Sequence, residues 1–254
     1  MSGMKQGLVE NAGDKGSSSL SHSQQDYLKQ IFLLDHAPRG ATTQILADRI
    51  GVRPASVTGM LKKLAEEGLV ERAPYRAVRL TESGRRIAVE LVRHHRLLEV
   101  FLFRMLGYRW DEVHEEAEAL EHVISERFEQ RVAELLSHPE RDPHGDPIPT
   151  SELALEEDRH LAPLARLARG SRGTICRVTL QDQDALNLVE KLGLLPGTEI
   201  EVADTHPDGV SLLVAGSRFL VPTLLALHLL VVIVPGPASP HPKPRGRDRT
   251  AGGR

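Results

Sequence analysis

Cysteine is almost missing from this chain: Cys176 is its only thiol among 254 residues. That excludes an intramolecular disulfide and every zinc pattern built on several cysteines. No long hydrophobic run is present either. The longest apolar stretch, near Val221–Val234, is interrupted by Pro222, Thr223 and His228, so no membrane span is expected. Residues 1–21 are polar and rich in Gly and Ser, without the apolar core of a signal peptide, and the expected location is the cytoplasm. There is no internal repeat. Three signatures of enzymes are also absent: His-Glu-x-x-His, the nucleophile elbow and the glycine-rich phosphate loop.

What is present fits two modest domains, at roughly 100–200 residues each. Hydrophobic residues make up 40% and charged residues 26%, the ordinary balance of a globular protein. The net charge of −3 conceals an asymmetry. Arg39–Arg96 carries twelve Lys/Arg against six Asp/Glu, whereas Asp111–His160 carries four Arg against sixteen Asp/Glu. A basic block suits a phosphate backbone and an acidic block suits cations.

Tyr27, Leu28, Ile31, Phe32 and Leu34 repeat at helical spacing, which predicts a helix over Ser23–Leu34 with Ser23 as its N-cap. Pro38-Arg39-Gly40 breaks the chain. Thr42–Ile50 reads as a short helix ended by Gly51, Val52-Arg53-Pro54 as a turn, and Ala55–Glu67 as a second helix closed by Gly68. Leu69–Leu80 is β-prone and broken by Pro74, as in a small hairpin. A long helix opens at Thr81 and runs to about Leu106, where Gly107 stops it. Another, capped by Asp111, is expected to run on to about Ser137. Pro139–Gly170 reads as connecting sequence. Gly173–Val234 alternates Val, Ile and Leu with Gly and Asp, the pattern of a small β-barrel or sandwich. Pro235–Arg254 is Pro/Gly/Arg-rich and expected to be disordered.

The helix, glycine turn and helix between Ile45 and Leu64 make a DNA-reading element. Val57, Leu61 and Leu64 form the inward face of the second helix. Arg53, Pro54, Ala55, Ser56, Thr58, Gly59, Lys62 and Lys63 are left to face a groove about 12 Å wide. Ser56 and Thr58 are short enough for close approach, and Gly59 lets the backbone come near. Arg53, Lys62 and Lys63 suit phosphates, which position a protein without reading sequence. The hairpin that follows has the form of a wing, with Arg76 at its tip.

A second constellation is acidic. In the stretch His114-Glu-Glu-Ala-Glu-Ala-Leu-Glu-His122, a helix would pair Glu118 with Glu121 and His122 and set His114 one turn earlier. One face then presents two carboxylates and an imidazole, flanked by a second imidazole, a donor set suited to a divalent cation. His95 and Glu99 repeat the four-residue spacing about twenty residues earlier. Glu115, Glu116, Glu126 and Glu129 read as surface. A DNA reader followed by a metal-binding helix pair points to a metal-sensing transcription factor. Two other classes compete: a metal hydrolase in which such ligands activate a water, and a metal-independent winged-helix regulator whose acidic helices bind a protein partner.

The chain resembles the diphtheria-toxin-repressor family of iron- and manganese-dependent regulators. The resemblance rests on Asp26-Tyr-Leu-Lys-Gln-Ile-Phe, the winged helix, His95-Arg-Leu-Leu-Glu99, Val113-His-Glu-Glu-Ala-Glu118, Glu121-His122 and Pro143-His-Gly-Asp-Pro-Ile-Pro149, covering about Ser23–Thr150. It implies a mainly α fold with a small β domain. The implied order is a disordered N-terminus (1–21), a winged helix-turn-helix domain (22–86), a helical metal-binding and dimerisation domain (87–150), a linker (151–170), an SH3-like domain (171–234) and a disordered tail (235–254). It further implies a primary metal site of Asp26, Glu118, Glu121 and His122, and an ancillary site of His95, Glu99 and His114. In some relatives the last domain adds ligands, and Gln181-Asp182-Gln183-Asp184 is the corresponding stretch, with Asp182 the candidate.

Iron-responsive relatives use Met and Cys where this chain has Asp26 and Glu118, whereas manganese-responsive ones use carboxylates. Oxygen donors suit Mn²⁺, so manganese is expected first and Fe²⁺ second, with about two ions per subunit. Lys29 stands where some manganese sensors carry a Glu in a close two-metal centre, which argues for two separated sites. The resemblance also implies a homodimer on an inverted-repeat operator and repression of metal uptake. Without metal, clustered carboxylates are expected to repel and loosen the arrangement.

Overall fold

The computed structural model describes residues 20–35, 37, 39–73, 76–155, 158, 160–180 and 182–234. Expectations for the two tails, for Pro38, for Pro74 and for Gln181 therefore lie outside the described residues, apart from Leu20 and Ser21. The chain divides into two compact units, residues 1–157 with 181–190, and residues 158–180 with 191–254.

The first unit opens with α1 (His22–Leu33). Its N-cap is Ser21, not Ser23: the Ser21 side chain accepts from the Gln24 backbone, and the Gln24 side chain accepts in turn from the Ser21 backbone, a closed capping box. Ser21 thus belongs to the helix rather than to a tail. Next come α2 (Thr43–Ile50), capped by Thr42, and α3 (Pro54–Glu66). Pro54 is the first residue of α3 and not part of the turn, a position where its missing N–H costs nothing. The short strands β1 (Val70–Glu71) and β2 (Arg79–Leu80) pair antiparallel as the predicted wing. Gly84 lies so close to this wing that a Cβ there would meet the Leu69 carbonyl.

Helix α4 (Glu82–Phe101), capped by Thr81, passes through the middle of the unit, and every residue from Leu91 to Val100 is buried. Its N-terminal half completes the core of α1–α3 and the wing, with Leu28, Leu46, Val57, Leu61 and Leu64 fully covered. Farther along, Leu97 and Val100 meet Val132 and Ala133, while Leu98 and Leu102 meet Val113 and Ala117. The helix ends in a π-helical turn, Leu102–Leu106, before Gly107.

The single helix expected from Asp111 to Ser137 is two: α5 (Val113–Leu120) and α6 (Glu126–Leu135). Asp111 does not cap α5; it is buried and bound by Arg109. Ser125 starts α6 by accepting from the Phe128 backbone, with Glu126 and Glu129 in the first turn. Residues 141–149 are no loose connector. Arg96 on α4 donates to the Pro147 carbonyl and to Asp146, and Arg93 donates to the Pro149 carbonyl, so Asp142, His144 and Ile148 are all buried.

The second unit is a six-stranded antiparallel sheet of β3 (Leu161–Pro163), β4 (Arg172–Val178), β5 (Glu199–His206), β6 (Gly209–Val214), β7 (Ser217–Pro222) and β8 (Leu229–Val234), in the order β3-β8-β4-β5-β6-β7. Between β4 and β5 the chain runs through α7 (Gln183–Lys191), nearly all of which belongs to the first unit, and between β7 and β8 through the short α8 (Thr223–Ala226). Register shifts at Ile175/Arg177 and Val202/Asp204 break the ladders. Strand β3 and a 3-10 turn at Leu164–Arg166 fall within residues 151–170, where the sequence reading placed a linker. Among the described residues no helix is long and apolar enough to cross a membrane.

Candidate metal centre and nucleic-acid interface

The reading element has the expected faces. Arg53, Pro54, Ala55, Ser56, Thr58, Gly59, Lys62 and Lys63 are all exposed, and Val57, Leu61 and Leu64 are fully buried beneath them. Thr58 donates its hydroxyl to the Pro54 carbonyl, and a Cβ on Gly59 would meet open space. Arg76 is exposed on the wing. Lys63 also donates to Gln24 of α1, which in turn donates to Glu67 just past the end of α3. The reading helix is thereby tied to α1.

The acidic motif is not carried by one helix. Helix α5 stops at Leu120; Glu121 is its C-cap and His122 follows in the turn. The turn, not the expected helical face, aims these two side chains at α1. Asp26, Glu121 and His122 each offer a ligand atom within 4.8 Å of the others. His122 donates from Nδ1 to Gln25 Oε1 at 2.7 Å, which leaves Nε2 facing Asp26 Oδ1 at 2.8 Å and Glu121 Oε1 at 3.6 Å. Such a partner on the far ring nitrogen is what orients a metal-ligating histidine. His22 stacks on the same ring, with centroids 4.8 Å apart.

Glu118 parts from this trio. Its ligand atom groups with His95 and His114, and its Oε1 lies 2.7 Å from Lys29 Nζ. Lys29 also donates to both oxygens of Glu121 at 2.7 Å. The carboxylates expected to repel one another are bridged by a positive charge. A lysine of α1, only 3% exposed, already lies between them. Its charge and hydrogen bond hold Glu118 below the usual carboxylate range, against the upward push of burial.

The three expected ancillary residues do converge. His95 Nε2 lies 3.0 Å from Glu99 Oε1 and 3.0 Å from His114 Nδ1, and His114 Nδ1 lies 3.1 Å from Glu99 Oε1. His95 Nδ1 is 2.6 Å from Glu121 Oε2, so Glu121 links the two clusters. Burial pushes His95 down, but Glu99 and the bonds from both carboxylates carry it up to about 9. Glu99 is held well below its ordinary range, burial notwithstanding, by His95, by the bond from His114 and by the nearby His144.

Two members of this neighbourhood escaped the sequence reading. Asp142 and His144 group with Glu99, all three buried. His144 donates from Nε2 to the Trp110 carbonyl, turning Nδ1 toward Glu99 at 3.7 Å. They lie in Pro143-His-Gly-Asp-Pro-Ile-Pro149 and beside it, a stretch that supported the resemblance without revealing what its polar residues do. Glu126 and Glu129 were read as surface; Glu126 is exposed, as expected, but Glu129 is not. Glu129 is bound by Arg93 at 2.6 Å, and Glu126 groups with Glu90 and His94. Burial and the neighbouring Glu126 carboxyl push Glu90 up to about 7. Glu115 is exposed and Glu116 half-buried. Asp182 is exposed, accepts from the Ala185 backbone at the start of α7, and joins none of the histidine–carboxylate clusters found among the described residues.

The donors fit a divalent ion. Both clusters offer imidazole nitrogens and carboxylate oxygens, and the one thiol, Cys176, lies in β4 and donates to the Thr174 carbonyl. Such a set suits borderline and hard cations.

Comparison with known proteins agrees with this arrangement. Residues 19–78 match the domain described as "Iron dependent repressor, N-terminal DNA binding domain", residues 81–150 the "Iron dependent repressor, metal binding and dimerisation domain", and residues 162–232 the "FeoA domain". The chain is 31% identical to the iron-dependent repressor IdeR of Mycobacterium tuberculosis over 201 residues, which cover 75% of this chain and 87% of the relative. It is 35% identical over 121 residues to the HTH-type transcriptional regulator MntR of Lysinibacillus sphaericus, covering 48% of this chain and 86% of the relative. A solved manganese-dependent transcriptional repressor in complex with manganese superposes with a TM-score of 0.78 at 37% identity, over 83% of this chain and all of that one. With a matched reading domain, a matched metal-binding domain and a relative aligned along nearly its whole length, the chain belongs to the iron-dependent repressor family.

Proposed function

We propose that this chain is a metal-responsive transcriptional repressor that senses Mn²⁺ first and Fe²⁺ second, and controls genes of metal-ion homeostasis. The family's members are DNA-binding repressors rather than enzymes, so the hydrolase alternative falls away. The observation that carries the reading is the junction of Asp26 with Glu121 and His122. One ligand comes from the helix tied to the reading element, and two come from the turn after α5. A bound divalent ion supplies the positive charge that these ligands share. Asp26 then fixes α1, and through Gln24 the reading helix, against the rest of the unit.

About two ions per subunit are expected: one at Asp26, Glu121 and His122, and one at His95, Glu99 and His114, with Glu118 grouped with the second. Oxygen and nitrogen donors support manganese, as does the likeness to a repressor solved with manganese. The working form is a homodimer on an inverted-repeat operator in the cytoplasm. Phe103, Met105, Leu106, Val123, Phe128 and Leu135 are large apolar side chains exposed on the single subunit, and they support a partner surface there. Two reading heads must meet major grooves about 34 Å apart or a multiple of it, so the angle set at Asp26 decides whether both half-sites are filled. The conformation that binds the ion better is populated by it, and DNA raises ion affinity in return.

The test is a DNA-binding titration of the metal-stripped chain against the DNA upstream of its own gene, with Mn²⁺, Fe²⁺, Zn²⁺ or chelator. Binding should appear with Mn²⁺ and vanish with chelator. Chelator-insensitive binding would instead support a metal-independent regulator.

A further inference from the structure

Lys29 lies one helical turn after Asp26, on the same face of α1. A single face thus supplies a ligand for a cation and a cation of its own. The Lys29 ammonium is 3% exposed, and it is held by charge-assisted hydrogen bonds at 2.7 Å to Glu118 Oε1, Glu121 Oε1 and Glu121 Oε2, with His95 Nδ1 at 3.5 Å. It occupies the space between the Asp26–Glu121–His122 cluster and the His95–His114–Glu118 cluster. Glu121 is consequently oversubscribed. The oxygen that faces His122 at 3.6 Å also accepts from Lys29, and the other oxygen is shared between Lys29 and His95.

We propose that Lys29 is a tethered counter-ion of the metal centre, which competes with the divalent ion for Glu118 and Glu121 and so sets the metal concentration at which the site fills. The inference rests on the reading of this pocket as the sensing site. Filling the pocket weakens the bonds of a buried ammonium, and a buried charge deprived of its partners is costly. That cost is subtracted from ion affinity. It also keeps the pocket formed when metal is scarce, because one positive charge already joins α1 to Glu118 and to the turn at Glu121. A residue that merely buttressed the pocket would act with the opposite sign: its loss would weaken ion binding.

The test uses the full chain, stripped of metal by chelator and dialysed. Mn²⁺ affinity is measured by calorimetry, and melting temperatures are taken with and without Mn²⁺. Lys29→Met, close in length but uncharged, should bind Mn²⁺ at least about tenfold more tightly, roughly 1.4 kcal/mol. Its metal-free melting temperature should fall while the gap between metal-free and Mn²⁺-loaded protein widens. Lys29→Arg, which keeps the charge, should stay near the parent affinity. Equal or weaker Mn²⁺ binding by Lys29→Met overturns the proposal. Should that variant fail to fold without metal, Lys29→Gln serves, and unchanged affinity there overturns the proposal equally. If the parent and all variants bind no Mn²⁺, the sensing-site reading fails with it; Mn²⁺ binding that is indifferent to Lys29 removes the counter-ion alone.

Discussion

Asp26 Oδ1 stands 2.8 Å from His122 Nε2. One residue belongs to the helix that is tied through Gln24 to the reading element, the other to the turn that closes α5. A contact this short across 96 residues of sequence makes the reading head and the acidic segment one mechanical body at that point. Asp26→Ala should remove the link. DNA affinity at limiting Mn²⁺ should fall by about tenfold or more, as for a change of about 1.4 kcal/mol in the coupled ion equilibrium. The dimer should remain intact in sedimentation. An unchanged metal response in a fluorescence anisotropy titration would take Asp26 out of the site.

Glu118 is the oxygen donor whose replacement should change metal preference. Glu118→Cys introduces a thiolate and removes one of the carboxylates held by Lys29. Calorimetric affinities should shift toward Fe²⁺ and softer ions relative to Mn²⁺. An unaltered ranking would mean that Glu118 serves Lys29 and not the ion.

The exposed cations of α3 and the wing should act on DNA without regard to sequence. Neutralising Lys62 or Arg76, both exposed, should weaken binding to operator and random DNA alike and reduce the slope of affinity against salt by about one per phosphate contact. Lys62 faces Glu66 at 3.8 Å between two largely exposed side chains, so its removal should leave stability almost untouched. A loss confined to one operator position, read by competition with single-site operator variants, would show that the residue reads a base.

The metal-free protein should lose stability in alkali. His95 is carried from its ordinary 6.5 to about 9 when folded, burial being outweighed by Glu99 and by the carboxylate bonds. A group whose folded value is raised stabilises fully below its unfolded value, and that contribution disappears as pH rises through the folded value. Thermal melts in chelator should therefore show a falling melting temperature between about pH 7 and pH 10, with a shallower fall in His95→Gln. A parent curve that is flat or rising over that window would contradict the assignment.

Much of the fold was legible because α1, α2 and α3 bury their apolar residues at regular spacing, and Gly51 and Gly68 mark where α2 and α3 stop. Eight of the nine candidate DNA contacts follow from the spacing along α3, since Val57, Leu61 and Leu64 can be buried only if their neighbours are not; Arg76 came from the hairpin pattern. The break after Leu120 was harder to see. Val123 and Ile124 continue the apolar pattern, and the start signal was a single Ser125 followed by Glu126. The polar interior was hardest. Arg93, Arg96 and Glu129 are buried on helices whose composition reads as a solvated face, and each is accounted for only by a partner distant in sequence: Glu129 and Pro149 for Arg93, Asp146 and Pro147 for Arg96, and Arg93 for Glu129. Spacing along one helix finds side chains that can share a site, and His95 and Glu99 do lie 3.0 Å apart. It cannot find Asp142 and His144, which meet Glu99 from a loop that Arg93 and Arg96 of α4 bind.

The most direct measurement is a crystal structure of the chain grown in excess Mn²⁺, with anomalous scattering recorded to locate the ions. The account predicts an anomalous peak bonded to Asp26, Glu121 and His122, joining α1 to the turn after α5. Clear density for those side chains with no peak among them would contradict it.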